Sequence, residues 1–198
     1  MRVIGGNAKG RPLKAPKGRA LRPTAARVKE ALFNILPRDL SGMRLLDLFA
    51  GTGNVTIEAL SRGAEQAVLV DAAPASGRAI RANLRALALT ERTQLLIMPV
   101  ERALRRLERQ REDFDLVFID PPYGRMLAER TLKKIAQGSI LRPSGIVVAE
   151  HGVRDEIAQR YGRLEMHARR RYGDTMLSFF KWRHEENAET RTPANGTT

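Results

Sequence analysis

From Leu45 to Glu150 the chain alternates short apolar runs with longer amphipathic ones, and no other feature restricts its fold as strongly. The apolar runs predict strands at 45–49, 67–71, 94–98, 114–119 and 145–150, each short and rich in Val, Ile, Leu or Phe. Between them the periodicity predicts helices near 54–62, 74–88, 101–110 and 126–137. The second of these is the clearest, because Ile80, Leu84 and Leu87 form one stripe while Arg78, Arg81 and Arg85 fall largely on a solvated face. Strands joined through helices must run mainly parallel, with helices on both faces of the sheet. Two more strands are expected at about 163–169 and 175–182, around the turn Tyr172-Gly173-Asp174. Too few residues separate them for a crossover, so they form an antiparallel hairpin. The expected fold is an α/β, Rossmann-like, mainly parallel seven-stranded sheet ending in that hairpin.

Within this frame the most informative stretch is Asp120-Pro121-Pro122-Tyr123, which closes the apolar run Phe114 to Ile119. Consecutive prolines cannot donate to a sheet ladder, so the strand stops and leaves Asp120 at its carboxyl end. In an open α/β sheet that is where ligands bind. The bland reading is a rigid turn whose aspartate caps a backbone N–H and whose tyrosine packs.

A second stretch, Leu45 to Asn54, runs an apolar strand into the turn Phe49-Ala50-Gly51-Thr52-Gly53 and then a helix. Glycines there let the backbone turn sharply and approach a ligand. Asp71 ends the next strand, 18 positions after Gly53, where a carboxylate can accept hydrogen bonds from both hydroxyls of a ribose. The third glycine of the dinucleotide fingerprint is missing, its place being Thr56, and there is no P-loop. The expected ligand is therefore a nucleoside without a pyrophosphate. S-adenosylmethionine (SAM) is such a molecule, with Asp47 facing its positive end through water or a backbone group.

Charge points to the partner. The chain of 198 residues carries 35 Lys and Arg against 22 Asp and Glu, a formal +13. Residues 1–38 hold ten basic residues and only one acid, Glu30, so the excess is concentrated. A clustered basic segment is the footprint of a nucleic-acid binder. Residues 1–21 read as a small basic β-hairpin appendage, Met1 to Gly6 and Gly10 to Lys14 forming its strands. Arg2, Lys9, Arg11, Lys14, Lys17, Arg19 and Arg22 are the expected RNA contacts. A helix follows at 25–36, with Thr24 as its N-cap and Pro37 ending it. Residues 22–182 would form the catalytic domain and 183–198 a polar, disordered tail.

The absence of cysteine rules out disulfides and thiolate chemistry and fits a reducing compartment. No stretch approaches the roughly 18 apolar residues of a membrane span, and no signal-peptide pattern opens the chain, so it reads as cytoplasmic. His151, His167 and His184 are scattered and form no ligand set; no metal is expected. Arg169-Arg170-Arg171 reads equally as a phosphate contact or a solvated edge.

Several segments together resemble one family. Arg22-Pro23-Thr24 with Arg27 to Leu36, Leu46 to Gly53, Glu58 to Ala64 and Asp120-Pro121-Pro122-Tyr123 are similar to the RsmD family, and the similarity runs from Arg2 through Thr175. Its members are SAM-dependent class I methyltransferases acting on the exocyclic N2 of a guanine in bacterial small-subunit (16S) ribosomal RNA. The resemblance implies that Asp47, Gly51 and Gly53 line the methionine end of the cofactor, that Thr24 closes over it and that Asp71 holds the ribose. Phe49, Ala50, Ala72 and Val100 complete the expected cofactor wall. It further implies that Asp120 and the Pro121 carbonyl accept hydrogen bonds from the target amine and that Tyr123 stacks on the base, Pro122 being the remaining member of the expected catalytic tetrapeptide. The chain departs from the family where Ala73 replaces a frequent second acid, Pro99 replaces an Asp or Asn near the adenine, and Asn54-Val55-Thr56 replaces Ala-Leu-Gly. The expected substrate is ribosomal RNA or a small-subunit assembly particle, met by a monomer. Two other readings stay open: an adenine-N6 methyltransferase on DNA or RNA, whose amine the same tetrapeptide serves, and a non-catalytic RNA-binding or ribosome-assembly protein.

Overall fold

The computed structural model describes residues 1–14, 23–124 and 126–183, with the side chains of α1 from residue 26 on. Helix α1 spans Pro23–Ile35. Then come β1 (Arg44–Leu48), α2 (Asn54–Ser61), β2 (Gln66–Asp71), α3 (Pro74–Ala86), β3 (Thr93–Ile97), α4 (Val100–Arg109), β4 (Phe114–Ile119), α5 (Leu127–Gln137), β5 (Leu141–Gly152), β6 (Arg160–Tyr161), β7 (Leu164–Tyr172) and β8 (Thr175–Trp182). The expected alternation and the closing hairpin are both present. Among the described residues the sheet has eight strands rather than seven, because the two-residue β6 adds an outer strand to β7. Two residues carry no periodicity, which is why the sequence hides it.

The strand order is β3-β2-β1-β4-β5-β8-β7-β6. The first five strands pair in parallel, and β8 joins β5 antiparallel. Succession reverses between β1 and β4, which makes their carboxyl ends the topological switch point of the sheet. Apolar alternation sends Leu46, Leu48, Val117 and Ile119 to one face, under α4 and α5. Leu45, Leu116 and Phe118 go to the other, under α1, α2 and α3. At the opposite, amino edge, Arg142 pairs with Asp113 and Asp115, and Arg44 with Glu112 and Asp113.

The opening segment is reduced from two strands to a single antiparallel bridge, Arg2 with Pro12. It is packed into the domain, since Val3 and Leu13 are buried in the cluster that holds α1 to α3. A polar cluster pins it: Glu58, fully buried, accepts from the Ile4 N–H at 2.8 Å and pairs with Lys29 at 3.0 Å and Arg62 at 3.0 Å. Lys29 also donates to the Arg2 carbonyl and to Asn54. Burial lowers the Lys29 pKa, against the raising pull of Glu58. Gly6, at φ +70°, lies where a Cβ would come within 1.8 Å of the Ser61 carbonyl oxygen, so only glycine permits this contact. Helix α1 begins at Pro23, whose fixed φ suits a first helical position. Thr24 therefore stands inside the first turn rather than capping it. Lys17, Arg19, Arg22 and the tail from 184 on lie outside the described residues.

Candidate active site at the switch point

The site is assembled from two turns that leave adjacent strands. Leu48 of β1 stands beside Ile119 of β4, and the Asp120 N–H donates to the Leu48 carbonyl at 3.3 Å. The Asp-Pro-Pro-Tyr and glycine turns are thus brought together.

The first turn is strained by design. Phe49, Gly51 and Gly53 all have positive φ, at 66°, 59° and 74°. A left-handed phenylalanine costs on the order of 1–2 kcal/mol, and such outliers collect at functional sites. The turn is secured through Asp71, whose carboxylate accepts from the Gly51 N–H and the Ala73 N–H, each at 2.8 Å. Ala73, where the family often has an acid, so contributes its backbone amide to the same carboxylate. Each Asp71 oxygen keeps a second lone pair for a hydroxyl donor. Ala50 is tied to the Val70 carbonyl at 2.9 Å, and Ala72 is exposed beside Asp71. Val100 opens α4 behind its N-cap Pro99, and the Met98 N–H donates to the Asp71 carbonyl, so this wall abuts the end of β2.

Asp47 lies beneath the turn. It is 2% exposed and accepts from the Thr56 hydroxyl at 2.7 Å. Burial pushes its carboxyl up to about 7, against the Thr56 hydrogen bonds and with a smaller push from Asp71. Thr56, fully buried in the place of the missing third glycine, thus has a definite task as the partner of Asp47. The acceptor set fits a cationic nucleoside: a paired-oxygen acceptor at Asp71, a half-buried carboxyl group at Asp120, and a glycine turn whose backbone can be approached closely, with the buried Asp47 supporting it from beneath. The dinucleotide fingerprint is incomplete, since Thr56 stands in the place of its third glycine.

The second turn is held by side chains. Asp120 is half-buried, Pro121 buried and Pro122 exposed. The Tyr123 hydroxyl donates to Glu150 Oε1 at 3.0 Å and lies 3.2 Å from Thr175 Oγ1. The Gly124 N–H donates to Asp155 Oδ1 at 3.0 Å, and Asp155 Oδ2 accepts from the Gly152 N–H at 2.8 Å. Burial raises the Glu150 pKa, and burial with the Glu150 charge holds the Tyr123 phenol above its ordinary value. Glu150, Thr175 and Asp155 were not legible as site residues. Glu150 and Thr175 stand at strand ends near the cleft, a weak signal; Asp155 gives none. His151 is buried, bonded to Ser178 and to the Gly152 carbonyl, and plays a packing role.

Of the expected RNA contacts, Arg2, Lys9, Arg11 and Lys14 are exposed on the opening segment. The Arg11 guanidinium donates to the Ala86 carbonyl at 3.1 Å, and the Lys14 N–H to Asn83 Oδ1 at 2.8 Å. Asn83 in turn donates to the Thr52 carbonyl at 3.0 Å, so the basic segment adjoins the glycine turn. Arg169 is turned inward to Ser178 and the Ile157 carbonyl, while Arg170 and Arg171 are exposed. No described helix is long and apolar enough to cross a membrane.

Comparison with known proteins follows the same outline. Residues 1–181 match the family model described as "Conserved hypothetical protein 95". A Bacillus subtilis protein, YlbH, provisionally named as an rRNA methyltransferase, is 39% identical over 183 residues, spanning 92% of this chain and 100% of that protein. The Escherichia coli "Ribosomal RNA small subunit methyltransferase D" is 33% identical over 153 residues, 77% of this chain and 75% of its own length. Among solved structures, the E. coli protein yhhF, titled a candidate methyltransferase, superposes with a TM-score of 0.80 at 28% identity, covering 93% of this chain and 99% of that one.

Proposed function

Because the chain belongs to the RsmD family, whose model is described as "Conserved hypothetical protein 95", we propose that it is an enzyme transferring a methyl group from SAM to the exocyclic N2 of a guanine in bacterial 16S ribosomal RNA. The observation that carries this reading is the pairing of Asp120-Pro121-Pro122-Tyr123 with the glycine turn across the switch point, joined by the Asp120 N–H to Leu48 hydrogen bond. The names of the relatives support the RNA and the family resemblance supports guanine N2; the residues supply a turn that can grip a planar amine beside a nucleoside site.

SAM, when bound, supplies a methyl group already activated by a sulfonium leaving group. Asp71 would hold its ribose hydroxyls, the turn Phe49 to Gly53 would pass under its amino-acid end, and Ala72 and Val100 would border its base. The amine of guanine is a poor nucleophile, because its lone pair is delocalised into the ring. The Asp120 carboxylate and the Pro121 carbonyl would accept its two N–H groups, which favours a pyramidal nitrogen with its lone pair directed into the cleft. Orientation of this kind lowers a barrier by up to about 7–11 kcal/mol in well-aligned systems. Asp120 need not be a strong base, since the methylated amine is acidic and loses a proton readily. The Tyr123 ring offers a stacking face for a base that has left its own stack. Its hydroxyl is engaged with Glu150 and Thr175, so the face is preset before a base arrives.

The test is to incubate the purified protein with labelled SAM and small-subunit particles from cells lacking it, then digest the RNA and identify the labelled base. Label in guanine N2 is expected. Label in adenine N6 would reassign the target, and no label in either base would leave an RNA-binding protein.

A further inference from the structure

A second basic surface lies on the sheet face opposite the opening segment. At 100° per residue, Arg102, Arg106 and Arg109 of α4 fall within about 60° of one another and extend over about 10 Å. With Met98 and Gln110 they line a groove of about 410 Å³. Arg102 and Arg109 are exposed and Arg106 half-buried, while Val100, Ala103, Leu104 and Leu107 anchor the other side of the helix in the core. Among the described residues none of these three guanidinium groups has a hydrogen-bond or ion-pair partner. The acids of the helix are directed elsewhere: Glu108 lies against Gly138, and Glu101 falls about 80° or more around the helix from the row. Three adjacent unpaired arginines repel one another and are held together without internal compensation, which favours an external polyanion.

The position selects which polyanion. The groove starts at Met98, whose N–H is bonded to the Asp71 carbonyl at the carboxyl edge of the sheet. A polynucleotide that delivers a base to Asp120 crosses that edge. It then has Arg2, Lys9, Arg11 and Lys14 on the α3 side and the α4 row on the other. We propose that Arg102, Arg106 and Arg109 form a second docking surface for the phosphate backbone of the RNA substrate, on the far side of the cleft from the basic opening segment. This rests on the reading of the chain as an RNA methyltransferase and adds where the RNA runs. The contacts are to phosphate, so they supply affinity and salt dependence without sequence preference.

The experiment measures equilibrium binding to small-subunit particles from cells lacking the protein, without SAM, as a function of salt. The variant R102Q/R106Q/R109Q is compared with R163Q/K181Q/R183Q, which removes the same charge from exposed positions at the amino edge of the sheet, where Leu164 pairs with Trp182. The α4 variant should bind at least about tenfold more weakly at 0.15 M salt, with the slope of log affinity against log salt flattened by about 2, three phosphates at roughly 0.7 each. The amino-edge variant should stay within about twofold. A third variant, R102K/R106K/R109K, keeps the charges and should keep the wild-type slope; matched melting temperatures establish that all three are folded. Equal losses from both glutamine variants, or no loss from the α4 variant, overturn the proposal. Binding is read without methyl transfer, so a wild-type protein that binds but labels no guanine sinks the guanine assignment and leaves this surface standing.

Discussion

The turn after β1 and the turn after β4 begin side by side and are made rigid by opposite means. The glycine turn is held through its backbone: three positive φ angles within five residues, the Ala50 and Gly51 amides bonded to the Val70 carbonyl and the Asp71 carboxylate of β2, and a buried Asp47–Thr56 pair beneath it. The Asp-Pro-Pro-Tyr turn is held differently. Its prolines fix φ, the Asp120 N–H is bonded to Leu48 of β1, and the side-chain tethers on Tyr123 and Gly124 come from β5, β8 and the loop after β5, through Glu150, Thr175 and Asp155. A turn held through its own amides and a turn held through side-chain tethers should fail differently. Damage to the first changes cofactor binding and stability, whereas damage to the second changes how the target base is met.

The sharpest separation comes from Asp120→Ala. We expect turnover on small-subunit particles to fall about 10³-fold or more, the scale of removing a preorganised polar group at a reacting centre. SAM affinity, measured by calorimetric titration, should stay within a few-fold, because the cofactor turn keeps its own bonds. Unchanged turnover would remove Asp120 from its assigned role.

On the other side of the comparison, Asp47→Asn tests the burial beneath the glycine turn. The folded-state pKa of Asp47, at about 7, is raised above that of an exposed aspartate. Its contribution to stability is therefore fully present below about pH 4 and is lost as pH rises through about 7. Asparagine keeps an acceptor for Thr56 and cannot ionise. The unfolding free energy of the variant relative to wild type should rise between pH 4 and pH 8, by up to about 4 kcal/mol at 1.36 kcal/mol per unit. Denaturant melts across that range give the difference directly, and a flat difference refutes the assignment.

Asp71→Ala attacks the same turn from its acceptor side. It removes the proposed ribose partner and also strands the Gly51 and Ala73 N–H groups. SAM should bind about 10- to 100-fold more weakly, matching about 1.5–3 kcal/mol for hydrogen bonds to a charged group. Turnover at saturating cofactor should survive, which is the reverse of the Asp120 pattern.

How much of this was legible follows from the same contrast. Alternating apolar runs and the glycine turn are local signals, so the five parallel strands, the closing hairpin and the position of Asp71 could be read directly. The register that sets Leu48 beside Ile119 is not local, yet the switch-point rule anticipated its result, with both turns at carboxyl strand ends. What stayed hidden was set by distant partners. Nothing in the sequence near Tyr123 announces Glu150 or Thr175, which are 27 and 52 residues away. Thr56 looked like a defect in a glycine pattern until its hydroxyl was seen on Asp47. The two-residue β6 is too short to have a period, and the opening segment read as an appendage because burial of Val3 and Leu13 depends on α1 to α3.

The smallest expected effect lies in the tether of the target turn. Tyr123→Phe keeps the ring and deletes the donor to Glu150, leaving a buried carboxyl without that hydrogen bond. Loss of one buried partner predicts a destabilisation of about 1–2 kcal/mol. The ring, no longer fixed by Glu150 and Thr175, should also raise KM for the particle a few-fold while kcat at saturation and SAM affinity hold. Glu150→Gln keeps an acceptor for the phenol and removes a charge that burial disfavours, so it should be close to neutral in both measurements. If Tyr123→Phe leaves stability and KM unchanged, the Tyr123 tether does not govern this turn, and its rigidity belongs to the prolines and the backbone bonds of Asp120 and Gly124. In that event the two turns would be more alike than their hydrogen bonds suggest, each fixed by its own backbone.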